Sequence, residues 1–92
     1  MMNMNFTMAQ AKRDFVRGYI IEAEIKWLGP GLGYGLLLTH RIVDQTVGNL
    51  DASGFLVDAK QHQPRQFKTA DACIQAAKQI GFLAKNLRIE GC

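Results

Sequence analysis

The side chains best suited to chemistry in this 92-residue chain are cations, and they fall into two groups. Residues 59–70 contain no Asp or Glu, while Lys60, His62, Arg65 and Lys68 lie inside that stretch. Lysine and arginine neutralise phosphates, and the interleaved glutamine amides can hydrogen-bond to a nucleic-acid backbone or to base edges. The stretch leads into a helix start, where free backbone N–H groups also favour an anion. The second group, Lys12, Arg13 and Arg17, is interrupted only by Asp14. These residues together form the expected nucleic-acid-binding set. The competing expectation for either group is a solvated polar face, because charged runs commonly serve solubility alone.

Other chemistry is weakly signalled. The run Gly-Pro-Gly-Leu-Gly-Tyr-Gly at 29–35 has the composition of a phosphate-cradling loop. Such loops lead from a strand into a helix, whereas this one joins two strand patterns, so it reads as a hairpin loop that needs positive φ. His40 shares a face with Leu36 and Leu38 and shows no orienting partner in sequence, which makes it structural rather than a general base. Glu22 and Glu24, two apart on an exposed strand face, read as a solvated pair with Lys26, Arg41, Asp58 and Lys60 as cross-strand neighbours. Cys73 and Cys92 show neither CxxC nor Cys/His spacing, so reduced thiols and no metal are expected. Trp27 and Tyr34 flank the glycine run and are expected in the core, although Trp27 lies close enough to a strand end to rim a protein contact. No catalytic residue, cofactor or small-molecule substrate is expected.

Positioning any of these groups requires a fold. Thr7 followed by Gln10 reads as a capping box before a helix over 8–17, with Met8, Ala11 and Phe15 on one stripe and Gly18 as its stop. Residues 19–28 alternate, with Tyr19, Ile21, Ala23, Ile25 and Trp27 on one face, and residues 34–42 resume as a second strand. Turn formers crowd 43–54, and a third strand is expected over 55–60 with Phe55, Val57 and Ala59 inward. Thr69 caps a second helix over 70–80, striped by Ala70, Cys73, Ile74, Ala77 and Ile80. Residues 84–89 suggest a short final strand. The expectation is a single α+β domain over 1–92: an N-terminal helix, a three-stranded antiparallel meander with a possible fourth strand, and a C-terminal helix packed on one sheet face. Residues 1–6 are expected to be disordered.

Composition bounds the rest. Hydrophobic residues make up 48% and charged residues 21%, with a net charge of +3. That balance disfavours disorder and permits a polyanionic partner without demanding one. No apolar run approaches the roughly 20 residues that span a bilayer, and the N-terminal stretch lacks a secretory pattern. A cytoplasmic protein without membrane contact is expected.

The segment 58–82, DAKQHQPRQFKTADACIQAAKQIGF, resembles short proteins encoded on bacterial conjugative plasmids, replication or partition accessory proteins with a D-A-(R/K)…P-R-x-F-K-T-x-D-A-A run before a helix ending I-G-F. The matching positions are Asp58, Ala59, Lys60, Pro64, Arg65, Phe67, Lys68, Thr69, Asp71, Ala72, Ile80, Gly81 and Phe82, about a quarter of the chain, and Cys73 departs from the commoner alanine. The resemblance implies a plasmid setting and no defined activity. The element order is also similar to that of double-stranded-RNA-binding domains, and the meander to sheet-reading arm domains of phage integrases. The first similarity is reduced to Lys68 at the second helix, and the second is opposed by Glu22 and Glu24. The resulting expectation is a small, basic, non-enzymatic, DNA-binding plasmid accessory protein or regulator. The alternative is a protein–protein interaction module, a homodimeric adaptor using a sheet edge or the Trp27/Tyr34 end.

Overall fold

The first helix is defined by its ends. In the computed structural model, which describes residues 5–44, 48–60, 63–83 and 87–89, the Thr7 hydroxyl accepts from the Gln10 backbone N–H. The Gln10 side-chain oxygen in turn accepts from the Thr7 N–H. This reciprocal box satisfies donors that a helix start leaves orphaned, and it opens α1, Met8–Val16. Ala11 is fully buried, with Met8 and Phe15 packed beside it. Gly18, at φ +83, turns the chain out of the helix.

β1 (Ile20–Gly29) and β2 (Gly33–Asp44) form the expected antiparallel hairpin. Its loop uses positive φ at Gly29, Gly31 and Gly33. The phase of β1 departs from simple alternation. The step from Ile20 to Glu22 is matched by a single step from His40 to Thr39, a β-bulge with Ile21 as the additional residue. Ile20, Ala23 and Ile25 are therefore buried, while Tyr19 is exposed and Ile21 half-buried. One inserted residue reverses the facing of everything before it.

The third strand is displaced from its expected place. β3 spans Gly48–Phe55, across residues that read as turn formers, and residues 56–60 leave the sheet. Residues 45–47 lie outside the described residues. β2 runs on to Asp44, and its pairing from Asp44↔Gly48 to Leu37↔Phe55 overrides the low strand propensity of Gly48, Asn49, Asp51 and Ser53. That register puts Ala52 and Gly54 opposite His40 and Leu38, with Leu56 next inward at 0% exposure. The inward set is thus Ala52, Gly54 and Leu56. Val57 is buried separately, Phe55 is half-buried and Ala59 is exposed.

α2 (Ala70–Ile80) begins where the Thr69 hydroxyl accepts from the Ala72 N–H, and it buries Cys73, Ala76, Ala77 and Ile80. Beyond it, Phe82 meets Phe15 edge to face at 4.8 Å, tying the end of α2 to α1. β4 (Arg88–Ile89) joins β1 in parallel, giving the sheet order β3-β2-β1-β4. Of the strand expected over 84–89, residues 84–86 lie outside the described residues. Both helices contact each other and the sheet, which makes this the expected α+β arrangement of helix, meander and helix. Phe6 corrects the expectation for residues 1–6. It is 2% exposed, its N–H bonds the Phe55 carbonyl and its carbonyl accepts from Val57; residues 1–4 lie outside the described residues. Among the described residues no helix is long and apolar enough to cross a membrane.

Candidate nucleic-acid interface

After Phe55 the chain peels away from β2, and the basic connector takes up the vacated hydrogen bonds. The Leu56 N–H still bonds the Leu36 carbonyl, but its own carbonyl accepts from the Arg65 N–H at 2.9 Å. The Asp58 N–H bonds the Gln63 carbonyl at 2.9 Å, and Tyr34 and Phe67 exchange both backbone bonds at 2.8 Å. Residues 63–67 are therefore laced to strand backbone rather than draped over it. Phe67, 8% exposed, anchors the segment in the core. The close approach depends on Gly33, because a Cβ there would fall on the Phe67 carbonyl oxygen.

The lacing fixes where the cations go. Arg65 and Lys68 are exposed, and the Arg65 guanidinium lies 5.1 Å from the centroid of the Phe67 ring, a cation–π arrangement that orients it. Lys60 is exposed in a turn whose backbone N–H is held by Asp58 Oδ1 at 2.9 Å. Among the described residues, Lys60, Arg65 and Lys68 have no carboxylate oxygen within 4.0 Å. His62 lies outside the described residues. The start of α2 contributes less than its sequence suggests. Thr69 already occupies the Ala72 N–H, and Asp71 places a carboxylate in the first turn, where it competes with an incoming anion.

The N-terminal cations stand apart. Lys12, Arg13 and Arg17 are exposed on α1, and Arg13 is partnered by Asp14 at 3.4 Å. α1 ends where β1 begins, whereas Lys68 follows the Phe67–Tyr34 bridge beside the Trp27 end of the same strand. At about 3.3 Å per residue, the run from Ile20 to Trp27 separates these ends by about 23 Å. Arg17 and Lys68 are therefore at opposite ends of the sheet, so the α1 cations and Lys68 do not share one footprint.

Comparison with protein-family models, curated proteins and solved structures gave no match.

The remaining candidates resolve into structural roles. On the open sheet face Glu24 pairs with Lys26 at 3.7 Å and Glu22 with Arg88 at 3.5 Å. Asp58 and Lys60, expected as cross-strand neighbours there, instead lie in the turn beyond β3. His40 is held between the rings of Phe6 and Tyr19, at 5.9 and 5.5 Å, with Nε2 3.7 Å from Asp14 Oδ2. Its buried Nδ1 has no hydrogen-bond partner. Burial pushes the Cys73 thiol up to about 12, which leaves it protonated and inert at neutral pH. Among the described residues, no group of three or more His, Cys, Asp or Glu is placed to hold a metal ion.

Trp27 is the residue that sequence reasoning misplaced. It is in phase with buried Ile25, yet it is 52% exposed. The connector pairs with Tyr34 on β2 and leaves a groove of about 480 Å³ beside Trp27, bounded by Leu32, Tyr34, Gln66, Phe67 and Lys68. The signal available in sequence is the glycine run itself, since a strand end facing a glycine-rich loop has few side chains to cover it.

Proposed function

We propose that this chain is a non-enzymatic, cytoplasmic nucleic-acid-binding protein whose contact surface is the connector 60–68. The supporting observation is the combination of Arg65 and Lys68 exposed, free of carboxylate partners among the described residues and carried on a backbone bonded to Leu56 and Tyr34. A solubilising loop has no need of that fixation. Lys60 extends the cationic surface beyond the connector's first bond, and His62 belongs to the same stretch of sequence. Lys12, Arg13 and Arg17 act as a separate, secondary attraction for the polyanion rather than as part of one footprint. The plasmid setting implied by 58–82 fits a DNA ligand.

The test is binding of a labelled oligonucleotide followed by fluorescence polarisation across salt concentration. Contact with a few phosphates gives a linear fall of log affinity with log salt, by about 0.7 to 0.9 per phosphate engaged. Arg65→Glu combined with Lys68→Glu should abolish the binding at about 50 mM salt and leave the circular dichroism spectrum intact, because both side chains are exposed. Absence of binding by the wild-type chain at that salt refutes the reading. A second reading, a homodimeric adaptor, draws on the exposure of Trp27 and Leu32. It requires self-association that light scattering detects and that Trp27→Ser disrupts.

A further inference from the structure

Trp27 is a poor place to leave a large apolar ring in water, since burying such a side chain stabilises a domain by several kcal/mol at most sites. Here the ring is half exposed at the rim of a groove whose other walls include Tyr34 and Phe67, both tied to the core. Gly31 stands in the adjacent wall with nothing within 4 Å of where its Cβ would be, so the backbone there can be approached closely. The edge of the groove carries Lys68 and the Gln66 amide, and no carboxylate lines it among the described residues. Another groove of comparable size, between the helix ends and β1, carries Glu22 together with Arg88. The hairpin-end groove instead combines exposed aromatic surface with a lysine that has no carboxylate partner among the described residues.

From this juxtaposition we infer that the groove takes an unpaired base, stacked against Trp27, with the neighbouring phosphate on Lys68 and the strand continuing over Arg65. The ligand class is thus single-stranded nucleic acid; this rests on the nucleic-acid reading above and narrows it. A duplex keeps its base faces stacked inside and offers Trp27 nothing to lie on, whereas every unpaired base has a free π-face. At about 480 Å³ the groove has the dimensions of a small-ligand cleft, and the rest of the strand would follow the exposed connector. Gln66 can supply a hydrogen bond to a base edge, so any sequence preference should be modest.

Trp27 is the sole tryptophan of the chain, so its emission reports on the groove directly. The full chain is titrated at about 50 mM salt with a 12-nucleotide oligothymidylate and, separately, with a 12-base-pair duplex. The oligothymidylate should quench Trp27 emission and bind more tightly than the duplex. Trp27→Leu should weaken that binding about tenfold, a size typical of one stacked base, while Trp27→Phe recovers part of the loss. Both variants should keep the wild-type circular dichroism spectrum. Equal binding of both probes with unchanged emission overturns the stacked-base inference and leaves nucleic-acid binding standing. Failure of both probes to bind overturns both readings. If Trp27→Leu leaves oligothymidylate affinity intact but converts a dimer to a monomer, the ring belongs to a protein contact and the inference is overturned.

Discussion

Replacing Gly33 by alanine probes the lacing of the connector. At φ +77 an alanine carries about 1–2 kcal/mol of left-handed strain, offset by about 0.4–1 kcal/mol because alanine also stiffens the unfolded chain. Gly31 is the natural control. Its φ is +78 and a Cβ there meets nothing within 4 Å, so Gly31→Ala should cost only the net of those terms, about 1 kcal/mol or less. At Gly33 the new methyl group falls on the Phe67 carbonyl oxygen and lies 3.1 Å from the carbonyl carbon. That oxygen accepts the Tyr34 N–H, and the reciprocal bond from Phe67 to Tyr34 must shift with it. Losing both bonds, each worth about 1 kcal/mol net, and loosening the Phe67 ring adds about 2–3 kcal/mol.

The total for Gly33→Ala is then about 3–4 kcal/mol, a large part of the roughly 5–14 kcal/mol expected for a domain of this length. Urea titration followed by far-UV circular dichroism resolves it. With a slope of about 1–1.5 kcal/mol per M, the midpoint should fall by about 2–4 M for Gly33→Ala and by less than about 1 M for Gly31→Ala. Midpoints for the two variants within about 0.3 M of each other would show that the connector is not held against Gly33, and the argument for a fixed cationic surface would go with it.

Three further outcomes are expected. His40→Phe keeps a ring between Phe6 and Tyr19 and removes the unpartnered Nδ1, so its stability should stay within about 1 kcal/mol of wild type. His40→Ala opens a cavity and should cost about 2–4 kcal/mol, both read by urea titration. Leu56→Ala should cost about 3–4 kcal/mol and Ala59→Asp less than about 0.5 kcal/mol; the opposite order would restore the inward phase that alternation in 55–60 suggests. Burial raises the Cys73 thiol from 9.0 to about 12, so the unfolded chain loses a proton at lower pH than the folded one. Stability is then undiminished below about pH 9 and falls as pH rises from there towards about 12. Cys73→Ala should flatten that fall in a pH series of thermal melts.

Much of the fold is legible in sequence wherever a local signal and the tertiary contacts agree. Thr7 and Gln10, the stripe of α2, and the glycine run between β1 and β2 all carry their cause within a few residues. The misreadings arise where a distant partner decides. β3 forms from Gly48, Asn49, Asp51 and Ser53 because β2 offers paired backbone up to Asp44, and no window centred on 48–55 contains that information. The bulge at Ile21 is similar, since it becomes visible only when His40 and Thr39 are set opposite. At the site, the cationic content of 60–68 is plain in sequence, but the fixation of 63–67 is not, because the bonds that hold it come from Leu56, Asp58 and Tyr34. Phase places Trp27 in the core and its position near a strand end places it at a rim; which of the two holds depends on the connector, whose path the sequence does not state.

Rigidity changes what the connector cations contribute to binding. A flexible loop that orders on a ligand gives up about 1–2 kcal/mol of backbone freedom per residue, which can cancel several phosphate contacts. In 63–67 that order is already imposed by bonds to Leu56, Asp58 and Tyr34, so more of each contact survives as affinity. The consequence separates two kinds of variant in one salt titration. Lys68→Gln removes one contact, so the slope of log affinity against log salt should become shallower by about 0.7 to 0.9. Gly33→Ala keeps every cation and loosens only their support, so affinity should drop at all salt concentrations with the slope unchanged. If Gly33→Ala instead left affinity at its wild-type value while lowering the urea midpoint, the cations would be acting as a flexible tether, indifferent to the strands that hold them.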